Sequence, residues 1–485
     1  MAEHTDGRPD TDDRPNTGDT VDASAPDRTV DASAPDRTVD ASAPDRTVDA
    51  SAPDRTVDAD VVVVGCGPGG AVLSYLLARS GVDVALVERE STFQREYRGF
   101  GWNPGVVRLF DEMDLLADVL ALAHETVTDG SFSLYGRRVS VLDFDLLDTD
   151  YPYALLMEQP ALLELLVDRA SAYEGFDFYP STTVTDLWTD ENSGDRDAVP
   201  VGGVVARDRS ADETVGFEGR CVVGADGRYS AVRERAGIGA GLFDSPIDLV
   251  WFKLPSGAVE TDTQGQIARD GVLVHFGLGA GELQVGYPIH AGTWSAIRES
   301  GFPAFRERVA AVDPGVAAAM AAHLDGFADT TLLDVAPGLA PEWTRDGLVL
   351  LGDAAHVASP LGAQGNPLAV EDAVVAHDRL VRALDGATGQ HGSVEGDGPL
   401  PRSCLRAYEA RRRPTVERVI GLQRRAADNL AFWLEYGRYV PPPLVRGATA
   451  LAGAVVPRSG LLRRAVESFA LGDRSVSVAR EQFVD

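Results

Sequence analysis

Val61-Val62-Val63-Val64-Gly65-Cys66-Gly67-Pro68-Gly69-Gly70 is a run of β-branched residues that stops on a glycine-rich turn. Four successive valines suit a short central strand buried on both faces, as in a parallel sheet. A helix is predicted over 71–79 and a second strand over 82–88, which together make a βαβ unit. Gly65, Gly67 and Gly70 stand at GxGxxG spacing, a weak signal alone but a strong one between a strand and a helix. Glycine lets the chain turn sharply and lets backbone approach a pyrophosphate, whose charge is favoured at a helix N-terminus. Pro68 and Gly69 complete the turn. Glu88, ending the second strand with Arg89 beside it, is placed to accept hydrogen bonds from adenosine ribose hydroxyls. The pattern predicts a dinucleotide site and leaves NAD and FAD both open.

A later strand end separates the two. Residues 348–351 are apolar and run into Gly352-Asp353-Ala354-Ala355-His356, followed by Pro360, Gly362, Gly365 and Glu371-Asp372. An aspartate at the end of a buried strand, followed by very small residues, suits a carboxylate bonded to a polyol under close backbone approach. The ribityl chain of FAD is such a polyol, and NAD has none. Asn366-Pro367 reads as a helix N-cap and first-turn proline. That helix start would aim its N–H groups and dipole at the flavin and stabilise its anionic reduced form. A third strand end, Gly224-Ala225-Asp226-Gly227-Arg228-Tyr229-Ser230-Ala231-Val232-Arg233, again combines Gly, Asp and a basic partner. By itself it reads either as part of the site or as a turn closed by a salt bridge.

In this order the three motifs resemble those of the single-component FAD-dependent aromatic hydroxylases, the para-hydroxybenzoate hydroxylase-like flavoprotein monooxygenases. The first fingerprint matches through Gly70 and Gly81, with Ser74 where that family usually has alanine. DGxxSxxR is complete at Asp226, Gly227, Ser230 and Arg233. GDAAHxxxPxxGQG appears from Gly352 to His356 and at Pro360, Gly362, Gln364 and Gly365, with Ala363 inside it. Pro367 replaces the asparagine usual in relatives, although Asn366 lies beside it. Arg98 stands in the place of an arginine near the FAD phosphates, and Gln159 opens the helix that flanks the cofactor. The resemblance spans about residues 60–425. The cofactor contacts it implies, joined to those read above, are Gly65, Gly67, Pro68, Gly69, Gly70, Glu88, Arg89, Arg98, Gln159, Asp226, Gly227, Gly352, Asp353, Pro360, Gly362, Gly365 and Asn366. No catalytic side chain is assigned.

The same resemblance implies FAD as cofactor, NAD(P)H as a transient electron donor without a domain of its own, and O2. A flavin hydroperoxide would then hydroxylate an aromatic, quinone or lipid substrate held under a roof sheet. Two alternatives share the fold. One is an FAD-dependent reductase of isoprenoid lipid double bonds, although the Tyr-x-Trp-x-Phe-Pro element of such reductases is missing. The other is a non-enzymatic escort protein, in which eroded flavin motifs would be expected. His356 reads as a structural hydrogen-bonder. His275, Tyr287 and His290 fall in the roof sheet, either orienting a substrate or simply hydrogen-bonded. Cys66 reads as a small buried filler. Arg411, Arg412 and Arg413 are predicted to begin a helix, with packing on the FAD domain and a solvated basic face both open.

The expected architecture is α/β: a Rossmann-type FAD/NAD(P)-binding domain with an inserted antiparallel β-sheet substrate domain and C-terminal helices. The FAD domain is expected in three parts, 60–125, 157–240 and 336–385, and the substrate sheet in two, 126–156 and 241–335. A linker at 386–402 then leads to a helical region at 403–485. The stretch 448–456 is apolar enough to help admit a greasy substrate, so peripheral membrane contact stays open, but no run is long enough to span a membrane. Residues 1–59 carry a nonapeptide that begins at Val21, Val30, Val39 and Val48 and has too few large apolar residues to pack a core. Order is expected to begin at Asp60.

With 44% hydrophobic residues the chain as a whole is globular. A net charge of -31 would repel phosphates and excludes nucleic-acid binding. That acidity, with Lys253 the single lysine, fits a halophilic protein kept soluble at very high salt. Cys66, Cys221 and Cys404 are too few and scattered for a disulfide framework or a metal site. The polar, acidic N-terminus lacks the features of a secretion signal, and a cytoplasmic location is the default.

Overall fold

The computed structural model describes residues 52–94, 101–189, 199–260, 263–386, 398–441, 443–445, 447, 467 and 470–484. Arg98, the stretch 448–456 and the repeat before residue 52 lie outside the described residues. The first strand, Arg55–Val64, sits between parallel neighbours Glu213–Gly224 and Val84–Val87. Leu348–Leu350 extends the sheet beyond the first neighbour and Phe176–Tyr179 beyond the second, both parallel. Helices Pro68–Arg79 and Gly365–Leu384 pack against each other, and the core gathers Val61, Val63, Leu73, Leu350 and Val370.

The first strand starts five residues before the expected boundary, at Arg55 rather than Asp60. Arg55 stands opposite Val215, and Ala59 opposite Gly219. Asp54 N–H donates to Thr214 O at 2.9 Å, Thr214 N–H donates back to Asp54 Oδ2 at 2.8 Å, and Arg55 pairs with Asp208 and Glu213. The end of the fourth copy, Arg55-Thr56, is therefore strand. Its partner lies some 160 residues away in sequence, as the Asp54–Thr214 bond records, so composition around the repeat carries no sign of it.

A second sheet has seven strands. In spatial order they are Thr330–Leu333, Ile247–Pro255, Glu282–His290, Gly271–Gly277, Gly265–Ala268, Asp129–Leu134 and Arg137–Asp143. Pairing is antiparallel except where Gly265–Ala268 meets Asp129–Leu134. Helices Trp294–Glu299, Phe302–Ala310 and Pro314–His323 cover one face, burying Val250, Phe252 and Val285. The opposite face carries Leu249, Trp251, Val274 and Phe276.

Helix Arg402–Tyr436 follows the last FAD-domain helix. Arg411, Arg412 and Arg413 lie inside it rather than at its start, because Arg402 to Ala410 already carry the buried stripe Cys404, Leu405, Tyr408. The region 403–485 is not helical throughout. Residues 472–484 run as a strap over the FAD domain: Asp473 N–H donates to Glu371 Oε1, Val478 N–H to Glu112 Oε2, and Val484 N–H to Arg79 O. Among the described residues, no helix is long and apolar enough to cross a membrane.

Candidate active site

Three motif loops leave the carboxyl ends of three adjacent parallel strands: Gly65 after Val64, Asp226-Gly227 after Gly224, and Gly352-Asp353 after Leu350. Ligands of open α/β sheets bind at such strand ends. The glycines divide into two kinds. Gly65 has φ +101°, and a Cβ there would lie 2.6 Å from Ala225 O. A Cβ on Gly70 would lie 2.0 Å from Gly65 O, and one on Gly69 2.6 Å from Leu351 Cδ1, so these two let the helix approach the sheet. Gly67 and Gly227 meet nothing within 4 Å and face open space. Pro68 begins the helix, where its missing N–H leaves no bond unmade.

Glu88, 4% exposed, accepts from Cys66 N–H at 2.7 Å and from Glu90 N–H at 3.0 Å, which fixes the carboxylate against the glycine loop. Arg89 is exposed and paired with Glu90. Asp226 accepts from Ser230 Oγ and from Val232 N–H, so its carboxylate caps the helix Ala231–Arg235. Burial pushes that carboxyl up despite these bonds. Arg233 donates to Ala354 O at 2.9 Å and to Arg228 O at 2.8 Å, joining the second motif to the third. These are backbone acceptors, so the salt bridge left open for this segment is not what closes it.

Gly352 takes φ +56° and opens the short turn Gly352–Ala354, in which Asp353 is half-buried between buried neighbours. Asp372 holds this turn from behind. Its Oδ2 accepts from Gly352 N–H at 3.1 Å and lies 2.5 Å from His356 Nε2, while Oδ1 accepts from Arg412 Nε at 2.7 Å. Burial would raise the Asp372 carboxyl; the charges of His356 and Arg412 outweigh it and hold it at about 2. Arg412 is fully buried and also pairs with Glu371 at 2.8 Å. Gln423 accepts from Ser359 N–H and donates to Ser359 O and Leu361 O, clamping the same loop to the long helix.

The helix after the loop begins at Gly365 with Gln364 at its cap, which corrects the expected Asn366 cap and places Pro367 third in the helix. Asn366 is already helical, and its side chain is engaged elsewhere: its Oδ1 accepts from Gln159 Nε2 at 3.1 Å, and its Nδ2 is buried without a partner. Gly362 and Ala363 both take positive φ, +77° and +52°. Ala363 thus occupies a left-handed position that costs a non-glycine residue about 1 kcal/mol. Pro360 precedes them, half-buried.

His275 and Tyr287 do not face this site. His275 pairs across strands with Val285 and Tyr287 with Val250, on the face covered by helices, where the Tyr287 ring meets Phe305 edge-on. His290 ends its strand opposite Ile247. Arg412 and Gln423 are the site-supporting residues that the motifs do not mark. Their signal is periodic: Leu405, Tyr408, Arg412, Val416, Val419 and Gln423 share one buried stripe.

A family model described as FAD binding domain matches residues 58–422. The chain is 35% identical over 430 residues to a 6-methylpretetramide 4-monooxygenase of Streptomyces rimosus, covering 87% of this chain and 95% of that enzyme. It is 27% identical over 393 residues to a kynurenine 3-monooxygenase of Salinispora tropica, covering 74% and 77% respectively. Among solved structures it resembles PqsL, a probable FAD-dependent monooxygenase from Pseudomonas aeruginosa, with TM-score 0.64 and 23% identity over 79% of this chain and 100% of that one. These relatives favour oxygen insertion over the reductase and escort readings.

Proposed function

The chain belongs to the FAD-dependent aromatic-ring hydroxylases, and from that premise we propose that it inserts an oxygen atom of O2 into a flat aromatic or quinone-like substrate, drawing electrons from NAD(P)H. The observation that carries this reading is the meeting of three motif loops at neighbouring strand ends, in a chain that matches a monooxygenase over 95% of that enzyme's length. FAD, when bound, supplies electron transfer and the activation of O2.

The residues fit that cofactor. Gly67 and Gly227 leave a cradle that a Cβ would narrow, and the unpartnered Asn366 Nδ2 is a donor awaiting an acceptor. In this reading Glu88 receives the adenosine ribose and the N-terminus of Pro68–Arg79 receives the pyrophosphate. Asp353 would hold the ribityl chain, and Asn366 with the start of Gly365–Leu384 would meet the flavin. Gln159 orients Asn366. Asp372, Arg412, Arg233 and Gln423 touch none of these groups; they hold the loops that do. The face of the seven-stranded sheet bearing Trp251 and Phe276 would exclude water from the site and receive the substrate. We further place the protein in a cytoplasm of high salt, on the strength of its acidity.

The test follows NAD(P)H oxidation and O2 uptake together, with FAD-loaded protein, over phenols, quinones, polycyclic aromatics and polyprenyl lipids. Joint stimulation by an aromatic is expected. NAD(P)H oxidation driven by a polyprenyl lipid without O2 uptake would overturn the reading in favour of a reductase.

A further inference from the structure

Gln284 lies on the inner face of the seven-stranded sheet. It stands directly opposite Lys253 on one neighbouring strand and Phe276 on the other, and side chains of opposed residues share a face. Trp251, two residues from Lys253, shares that face too, its ring filling the space that Gly286 leaves open opposite it. The face is turned toward the flavin loops, because Lys253 Nζ donates to Glu158 Oε1 at 2.9 Å and Glu158 adjoins Gln159, the partner of Asn366. Gln284 is 1% exposed, and its Nε2 donates to nothing. A buried donor left unpaired is costly, and native structures carry few of them. Here it sits among aromatic side chains on the surface that closes over the site.

The charge beside it narrows what the donor can meet. Lys253 Nζ is engaged by two carboxylates, Glu158 and Glu282, the second at 2.5 Å. One ammonium between two carboxylates leaves a net charge of minus one, so the only lysine is no counter-ion for an acidic substrate.

We propose that Gln284 is a specificity-determining residue that donates to a carbonyl oxygen of an uncharged, flat aromatic substrate, while the Glu158–Lys253–Glu282 cluster turns anionic aromatics away. The proposal rests on the hydroxylase reading and names its substrate class. Aromatic ketones and quinones are admitted; ring carboxylates are not.

Holoenzyme is titrated with a neutral hydroxyanthraquinone and with an anthraquinone carboxylate, reading the flavin absorbance change, with O2 uptake measured in parallel. Wild type is expected to bind the neutral compound at least tenfold tighter. Gln284→Met, similar in volume but without a donor, is expected to raise Kd and KM for the neutral compound about tenfold. FAD content should be unchanged, and the melting temperature unchanged or higher, since an unpaired polar group has been removed. Gln284→Asn keeps the amide and should recover part of the loss, and Glu282→Gln should narrow the gap between the two compounds. Equal binding of both compounds by wild type, or unchanged binding by Gln284→Met, overturns the proposal. A lowered melting temperature in Gln284→Met without a change in KM assigns Gln284 a purely structural role and overturns it too. If neither compound nor any other aromatic perturbs the flavin or stimulates O2 uptake, the hydroxylase reading itself has failed.

Discussion

Glu88 and Asp353 both end strands beside glycine turns, yet the structure prepares them differently. Glu88 is engaged twice by backbone N–H groups, so its loss disturbs the glycine loop as well as any ribose contact. Asp353 stands half-buried at the turn that Asp372 holds from behind. Asp353→Ala should therefore weaken FAD binding about ten- to a hundredfold, the value of one charge-assisted hydrogen bond, while the apoprotein keeps its melting temperature. Flavin titration of the apoprotein checks this; unchanged affinity would remove Asp353 from the site. His377 offers a test by pH. It is fully buried in the FAD domain, 2.8 Å from Ser80 Oγ, and burial lowers it to about 4 from an ordinary value near 6.5. The folded state resists its protonation, so stability is complete above about 6.5 and declines as pH falls toward about 4, at up to about 1.4 kcal/mol per unit. Thermal melts of wild type and His377→Gln across that window should converge toward acid. Parallel curves would show that His377 does not carry the effect.

The strand Arg55–Val64 and the long helix Arg402–Tyr436 carry the least local signal in the sequence. The four valines mark their own strand, because a buried parallel strand needs only a local apolar run. The strand's first half, Arg55 to Ala59, has the same Arg-Thr-Val-Asp-Ala sequence as segments of the upstream repeat and becomes strand through its pairing with Val215 to Gly219. A chain starting at residue 52 should keep its FAD and melting temperature. One starting at residue 60 loses five ladder positions, Arg55 to Ala59, and should melt several degrees lower or fail to fold. Equal stability of the two would contradict the pairing. In the long helix three successive arginines look alike, and only packing selects the middle one. Arg412→Met would strand Glu371 and Asp372 as buried carboxylates, at a cost of about 3–5 kcal/mol, and loosen the Gly352 turn; denaturant unfolding and FAD retention should both register it. Arg411→Met, which loses a partly exposed pair with Asp473 of the strap and strands no fully buried carboxylate, should cost less.

For the molecule as a whole, the legible part of the sequence was its motifs in order, because each marks a backbone conformation that few residues can adopt. Gly65, Gly227 and Gly352 all take positive φ at strand ends. Less legible was what braces those loops, since Asp372, Gln423 and the strap at 472–484 act through contacts distant in sequence. Nor did strand alternation say which face of the roof sheet looks inward, and so His275 and Tyr287 were candidates that face the wrong way. Net charge is the other whole-molecule property. At -31, self-repulsion should destabilise the fold at low salt, where charges interact over about 10 Å, and relax near 1 M, where the range is about 3 Å. The melting temperature should therefore climb with potassium chloride between those conditions; a flat profile would count against adaptation to salt.

Oxygen insertion from O2 by a flavoprotein leaves an isotopic signature in the product, which labelled dioxygen reveals. FAD-loaded protein is supplied with NAD(P)H and the aromatic that best stimulates O2 uptake, and the product is examined by mass spectrometry. A hydroxylated product carrying one labelled oxygen is expected, and no label when only the water is labelled. Product without label, or O2 recovered wholly as hydrogen peroxide in the presence of that aromatic, would contradict it.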